Sequence, residues 1–120
     1  MNPRRVHALM NAGFPGVDPA KSSWVNLLER DGSLRGSILA GLIDAYLPEG
    51  ELLVEVNRGL GDVVPRRDVV AYVDKYAGQG DIRIADRAFR GYVLVARSGV
   101  ATGGYSTTPQ LAASTASAES

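Results

Sequence analysis

The chain has 120 residues, 45% of them apolar, and its thirteen basic and thirteen acidic side chains cancel at neutral pH. Such a length suits one domain with a single core, and the apolar content excludes a disordered chain. Zero net charge gives no bulk attraction to nucleic acid or to an anionic membrane.

With no cysteine and a single histidine, His7, the chain is short of the nucleophiles, bases and metal ligands on which most enzyme sites draw. A disulfide framework and thiolate metal sites are excluded outright. The expectation is a binding protein with no cofactor and no metal.

Met1-Asn2-Pro3-Arg4-Arg5 has the positive start of a signal peptide, but His7, Asn11, Gly13, Pro15 and Asp18 break the apolar core that such a peptide needs. Pro3 instead opens a helix whose Val6, Leu9 and Met10 share one face, and Gly13 ends it. Asp18-Pro19 has the form of an N-cap and first helical residue for a second helix carrying Trp24, Val25, Leu27 and Leu28, closed at Asp31-Gly32. Ser33 to Leu47 reads as a third and most buried helix: Leu34, Ile38, Leu42 and Ala45 make one stripe, which Leu39, Ile43 and Tyr46 widen. Its apolar run from Ile38 contains Asp44 and falls far short of the ~20 residues of a membrane span, so a cytoplasmic protein is expected.

Beyond Pro48-Glu49-Gly50 the apolar period changes from 3.6 to 2. Leu52, Val54 and Val56 fall on one face of a half-exposed strand, with Glu51, Leu53 and Glu55 on the other. Gly59 to Asp62 reads as a loop, and Pro65 opens a helix with Val69, Tyr72, Val73 and Tyr76 on its stripe and Gly78 as its stop. Strands are expected over Asp81–Asp86, with Ile82 and Ile84 inward, over Gly91–Arg97, and after the Ser98-Gly99 turn. The fold class is therefore α+β: N-terminal helices followed by β-α-β-β, a three- to four-stranded, mainly antiparallel sheet with helices on one face. The domain spans 1–105, and the Ser/Thr/Ala-rich segment 106–120 reads as a flexible tail.

Few motifs carry chemistry. Gly59-x-Gly61 comes after a strand, but Val64 stands where a dinucleotide fingerprint needs its third glycine, so it reads as a plain connection. His7 has no second histidine or acid at metal spacing and reads as a half-exposed helix residue. Asp44, within an apolar helix, calls for an arginine partner. Glu51 and Glu55 lie about 13 Å apart along one strand face, too far for a glycosidase pair, and read as a solvated or partner-facing surface.

The strongest patch is Arg83-x-x-x-Arg87-x-x-Arg90 with Phe89 and Tyr92, which Arg66 and Arg67 can join in space. Arginines interleaved with aromatics suit an acidic protein surface or RNA. Three function classes are compatible with this inventory. The first is a small non-enzymatic protein-binding module, in its sharpest form an immunity-type inhibitor that neutralises a bacterial toxin by covering its surface. Its anchors would be Arg66, Arg67, Arg83, Arg87, Arg90, Tyr92 and Trp24, or, against a basic partner, an acidic side of Asp44, Glu49, Glu51 and Glu55. The alternative is an RNA- or single-strand-binding domain on an arginine/aromatic sheet face, against which the net charge of zero counts. A small hydrolase or transferase built on Asp, Glu and Arg ranks last.

Overall fold

The computed structural model describes residues 2–47 and 50–105. The segment 106–120, expected to be a tail, and Glu49 lie outside them. In chain order the elements are α1 (Pro3–Gly13), β1 (Val25–Asn26), α2 (Gly36–Tyr46), β2 (Leu52–Asn57), β3 (Leu60–Val64), a 3₁₀ turn (Arg66–Asp68), α3 (Val69–Tyr76), β4 (Ile82–Asp86), β5 (Gly91–Val95) and β6 (Val100–Tyr105). The α+β class holds. The sheet has six antiparallel strands in the order β1-β6-β5-β4-β2-β3, more than the three or four expected. Among the described residues no helix is long and apolar enough to cross a membrane.

Two strands were not expected. The second helix does not form. Asp18 does cap, accepting from Ala20 N–H, but it closes a single turn. Two residues beyond Ser22-Ser23, the β-branched Val25 pairs with Ala101, and Asn26 with Val100. Ser33 bonds Asp31 in the next tight turn, where Gly32 has φ +87°, so it does not cap α2, which begins at Gly36 behind Arg35. Gly59 to Asp62 is not a loop. Asn57 Oδ1 accepts from Gly59 N–H and tightens a hairpin, so Leu60–Val64 runs back along β2.

The helices cover both faces of the sheet, not one. Leu39 and Ile43 of α2, with Leu47 beyond it, and Val69 and Val73 of α3 pack against Leu52, Val54, Val56, Ile82, Ile84, Val93 and Val95. Each such side chain, fully buried, stabilises the fold by about 1.5–3 kcal/mol. Ala45, placed on the apolar stripe from sequence, is exposed. On the opposite face Val6 and Met10 of α1 pack with Leu53 and Ala85, and Phe14, Val63 and Phe89 close the edges. α1 therefore buries the second face of β2, which is not half-exposed: Leu52 to Val56 are all buried, Glu55 included at 3% exposure.

Candidate functional site

The β4–β5 connection is a tightly constrained turn. Asp86 Oδ1 accepts from Arg90 N–H at 2.7 Å and Gly91 N–H at 3.4 Å, and Phe89 N–H donates to Asp86 O at 3.0 Å. Phe89 has φ +55°, a conformation that costs a bulky side chain energy unless its surroundings impose it. Here they do, because its ring lies on Gly13, where an added Cβ would meet Cδ2 at 2.7 Å. Arg87 and Arg90 stand out from this pinned turn into solvent. With Gly50, Glu51, Asp86 and Ala88 they line a shallow cleft of about 250 Å³. Arg90 Nε reaches Asp86 Oδ2 at 3.3 Å, and Arg87 Nη1 lies 3.9 Å from Glu51 Oε1. These exposed pairs are worth at most about 1 kcal/mol and leave both guanidinium groups accessible.

Arg66 belongs to the same side of the molecule. Its Nε–H donates to Leu47 O at 2.9 Å, and its Nη2 pairs with Asp44. Leu47 ends α2, so the cation sits at the negative end of that helix, where it stabilises. The arginine partner expected for Asp44 is thus found. Gly91 packs against the carbonyl of Tyr46, which brings the start of β5 to the same helix end. Arg67 is exposed on the 3₁₀ turn.

The other expected site residues are placed elsewhere. Glu55 and Arg83 face each other directly across β2 and β4, and Arg83 Nε–H donates to Glu55 Oε1 at 2.6 Å. His7 Nδ1 bonds Glu55 Oε2, Asn11 Nδ2 lies 3.2 Å from His7 Nε2, and Arg83 Nη2–H donates to Asn11 Oδ1 at 3.1 Å. One proton arrangement satisfies all four contacts: the carboxylate only accepts, so His7 carries its proton on Nδ1, and Nε2 accepts from the Asn11 amide. The ring locks α1 to β2 and β4. Burial pushes the Glu55 carboxyl up, but the hydrogen bonds from Arg83 and then His7 outweigh it and hold the group below the usual glutamate range.

The expectation of a partner-facing Glu51 and Glu55 is therefore corrected. Glu51 is exposed beside Arg87, whereas Glu55 is buried in an ion-paired ring. The exposed carboxylates of the expected acidic side each stand beside an arginine, Asp44 with Arg66 and Glu51 with Arg87. Of the arginine/aromatic sheet face, Arg83 and Tyr92 lie half-buried about Phe14, whereas Arg87 and Arg90 stand on the turn. The Arg83 guanidinium lies 5.7 Å from the Phe14 ring centre, Phe14 meets Tyr92 edge-on at 5.4 Å, and Phe89 packs beneath α1. Trp24 is half-buried and donates its indole N–H to Pro19 O at 3.1 Å, within its own loop.

Sequence reasoning missed the pairing of His7 with Glu55. The available signal was His7 and Asn11 at helical i, i+4 spacing beside the Val6/Met10 face; that this helix packs on the Leu53/Glu55 face of the strand was not legible. Among the described residues no group of three or more His, Cys, Asp or Glu could hold a metal ion. No family model, curated protein or solved structure matches this chain, so the site is read from its chemistry alone.

Proposed function

We propose that the chain is a small protein-binding module that works without catalysis, through the Arg87/Arg90 turn and the cleft beside it. One observation carries this reading: a bulky residue, Phe89, is held at φ +55° in a turn pinned on both sides, with two arginines presented outward. Strained, rigid turns of this kind are kept where a surface must be preorganised, and arginine is enriched among the residues that dominate interfaces. The chain's single histidine serves the ring under α1, which supports binding rather than acid–base chemistry.

The sharpest form of the reading is an immunity-type inhibitor that covers a bacterial toxin. With Glu55 buried, such a partner would present an acidic surface to Arg87, Arg90 and Arg66, not a basic cleft to this protein's carboxylates. The test is capture from native cell extract by the tagged chain and by its R87E/R90E variant, with and without nuclease. A stoichiometric protein that survives nuclease and is lost by the variant supports the reading. Equal capture by both chains, or material lost on nuclease treatment, overturns it.

A further inference from the structure

At the opposite end of the β4–β5 hairpin from the arginine turn lies an open cleft of about 340 Å³, lined by Phe14, Pro15, Val17, Asp81, Arg83 and Leu94. Its size lies at the low end of small-molecule sites, roughly 300–1,000 Å³. Four of its walls are apolar, and the other two carry opposite charges. Arg83 uses Nε on Glu55 and Nη2 on Asn11, which leaves Nη1 without an acceptor among the described residues. Asp81 uses Oδ1 on the Arg97 backbone N–H at 2.8 Å, which leaves Oδ2 without a donor among them. Asp81 immediately precedes β4, two positions from Arg83, so the two Cα atoms lie about 7 Å apart, and the side chains do not pair with one another.

We propose that this cleft binds a small zwitterion, an α-amino acid with an apolar side chain. The carboxylate takes the free Nη1–H groups of Arg83, and the ammonium donates to Asp81 Oδ2. The side chain rests on Pro15, Val17 and Leu94. Both polar contacts are charge-assisted, the stronger kind of hydrogen bond. A simple carboxylic acid meets Arg83 but is repelled by Asp81, and a simple amine meets the reverse. Only a ligand carrying both charges satisfies the two walls at once. The phenyl face of Phe14, already beside the guanidinium at 5.7 Å, holds Arg83 in place. The inference is independent of the protein-binding reading, which uses the other end of the hairpin.

The test is an NMR titration of the full chain with L-leucine and with three analogues: 4-methylpentanoate, which lacks the amine; 3-methylbutylamine, which lacks the carboxylate; and N-acetyl-L-leucine, which keeps the N–H but not its charge. Leucine is expected to give saturable shifts at the cleft, with a Kd of about 1 mM or below, and each analogue to bind at least about tenfold more weakly. Asp81→Asn keeps the acceptor for Arg97 N–H and is expected to weaken leucine about tenfold or more without moving the thermal midpoint. No saturable shift with leucine overturns the proposal. So does binding of N-acetyl-leucine or 4-methylpentanoate as tight as leucine. Unchanged leucine affinity in a folded Asp81→Asn overturns it as well, and the analogue series on the unaltered chain decides the matter should that variant misfold.

Discussion

The backbone carbonyl of Tyr46, in the last turn of α2, lies directly against the Cα of Gly91 at the start of β5. Its ring lies close to Gly103 of β6, where an added Cβ would meet Cδ2 at 2.5 Å. Gly103→Ala is expected to cost about 1–3 kcal/mol, and to cost less in a Tyr46→Ala background, because the obstructing atoms are then gone. Gly91→Ala is expected to cost at least about 3 kcal/mol in either background, since the obstruction is backbone that Tyr46→Ala retains. Urea unfolding of the single and double variants checks both statements.

Glu55 accepts from the Arg83 guanidinium and from His7 Nδ1–H inside the fold, and its removal leaves both donors without their acceptor. Glu55→Ala is expected to destabilise by about 3 kcal/mol, the low end for breaking a buried pair, because Arg83 and His7 retain some solvent contact. A midpoint shift in urea at constant slope measures it.

The same carboxylate sets an acid dependence. Its folded-state pKa lies below the ordinary 4.5, so its contribution is complete above that value and is lost as pH falls through the folded-state pKa. The stability gap between the unaltered chain and Glu55→Gln is therefore expected to be widest near neutrality and to narrow as the pH falls below 4.5. A constant gap across that range refutes the assignment.

Gly13 is occupied by its neighbour's ring. An alanine there would favour the helix by up to about 1 kcal/mol, but its methyl would fall 2.7 Å from Phe89 Cδ2. Phe89 cannot yield freely, because its backbone is already held at φ +55°. The clash is expected to win, with Gly13→Ala destabilising by about 1–2 kcal/mol. In a Phe89→Leu background the same change is expected to be close to neutral, and a double-mutant cycle reads the difference.

Tyr72 contributes to the alkaline limb. Burial, and then the charges of Tyr76 and Asp62, raise its phenol above the ordinary 10.0. A raised folded-state pKa gives stability that is complete below the unfolded value and is lost as pH rises through the folded one. Tyr72→Phe is expected to flatten the loss of stability above about pH 10, as followed by circular dichroism.

Where local pattern and tertiary role agreed, the sequence was readable. α1, α2 and α3 carry helical stripes with Pro3, Gly13, Pro65 and Gly78 at or near their ends, Ile82 and Ile84 alternate along β4, and the Gly99 turn joins β5 to β6. It misled where a residue's local chemistry served a different neighbourhood. Asp18-Pro19 has the form of a helix start, yet the chain there makes one turn so that Val25-Asn26 can extend the sheet. Leu60 to Val64 contains Gly61, a strand-weakening residue, but needs it: a Cβ there would sit 2.9 Å from Val54 O. The arginine patch was half legible. Spacing along the chain located Arg87 and Arg90 on a turn, but no one-dimensional pattern could show that Arg83 faces Glu55 across β2 and β4, because register is a property of the assembled sheet.

β2 is shared by two cores of unequal size, one under α2 and α3 and the other under α1 alone. Opening the smaller one requires the release of a single eleven-residue helix and the ring that fastens it, while the larger can stay closed. Two clocks should therefore run in one domain. Amides of α1 are set to exchange with solvent through a local excursion of lower free energy, and those of β4 and β5 only when the whole chain unfolds. Acid, by loosening the grip of Glu55, should lower the opening free energy of α1 before that of β4 and β5.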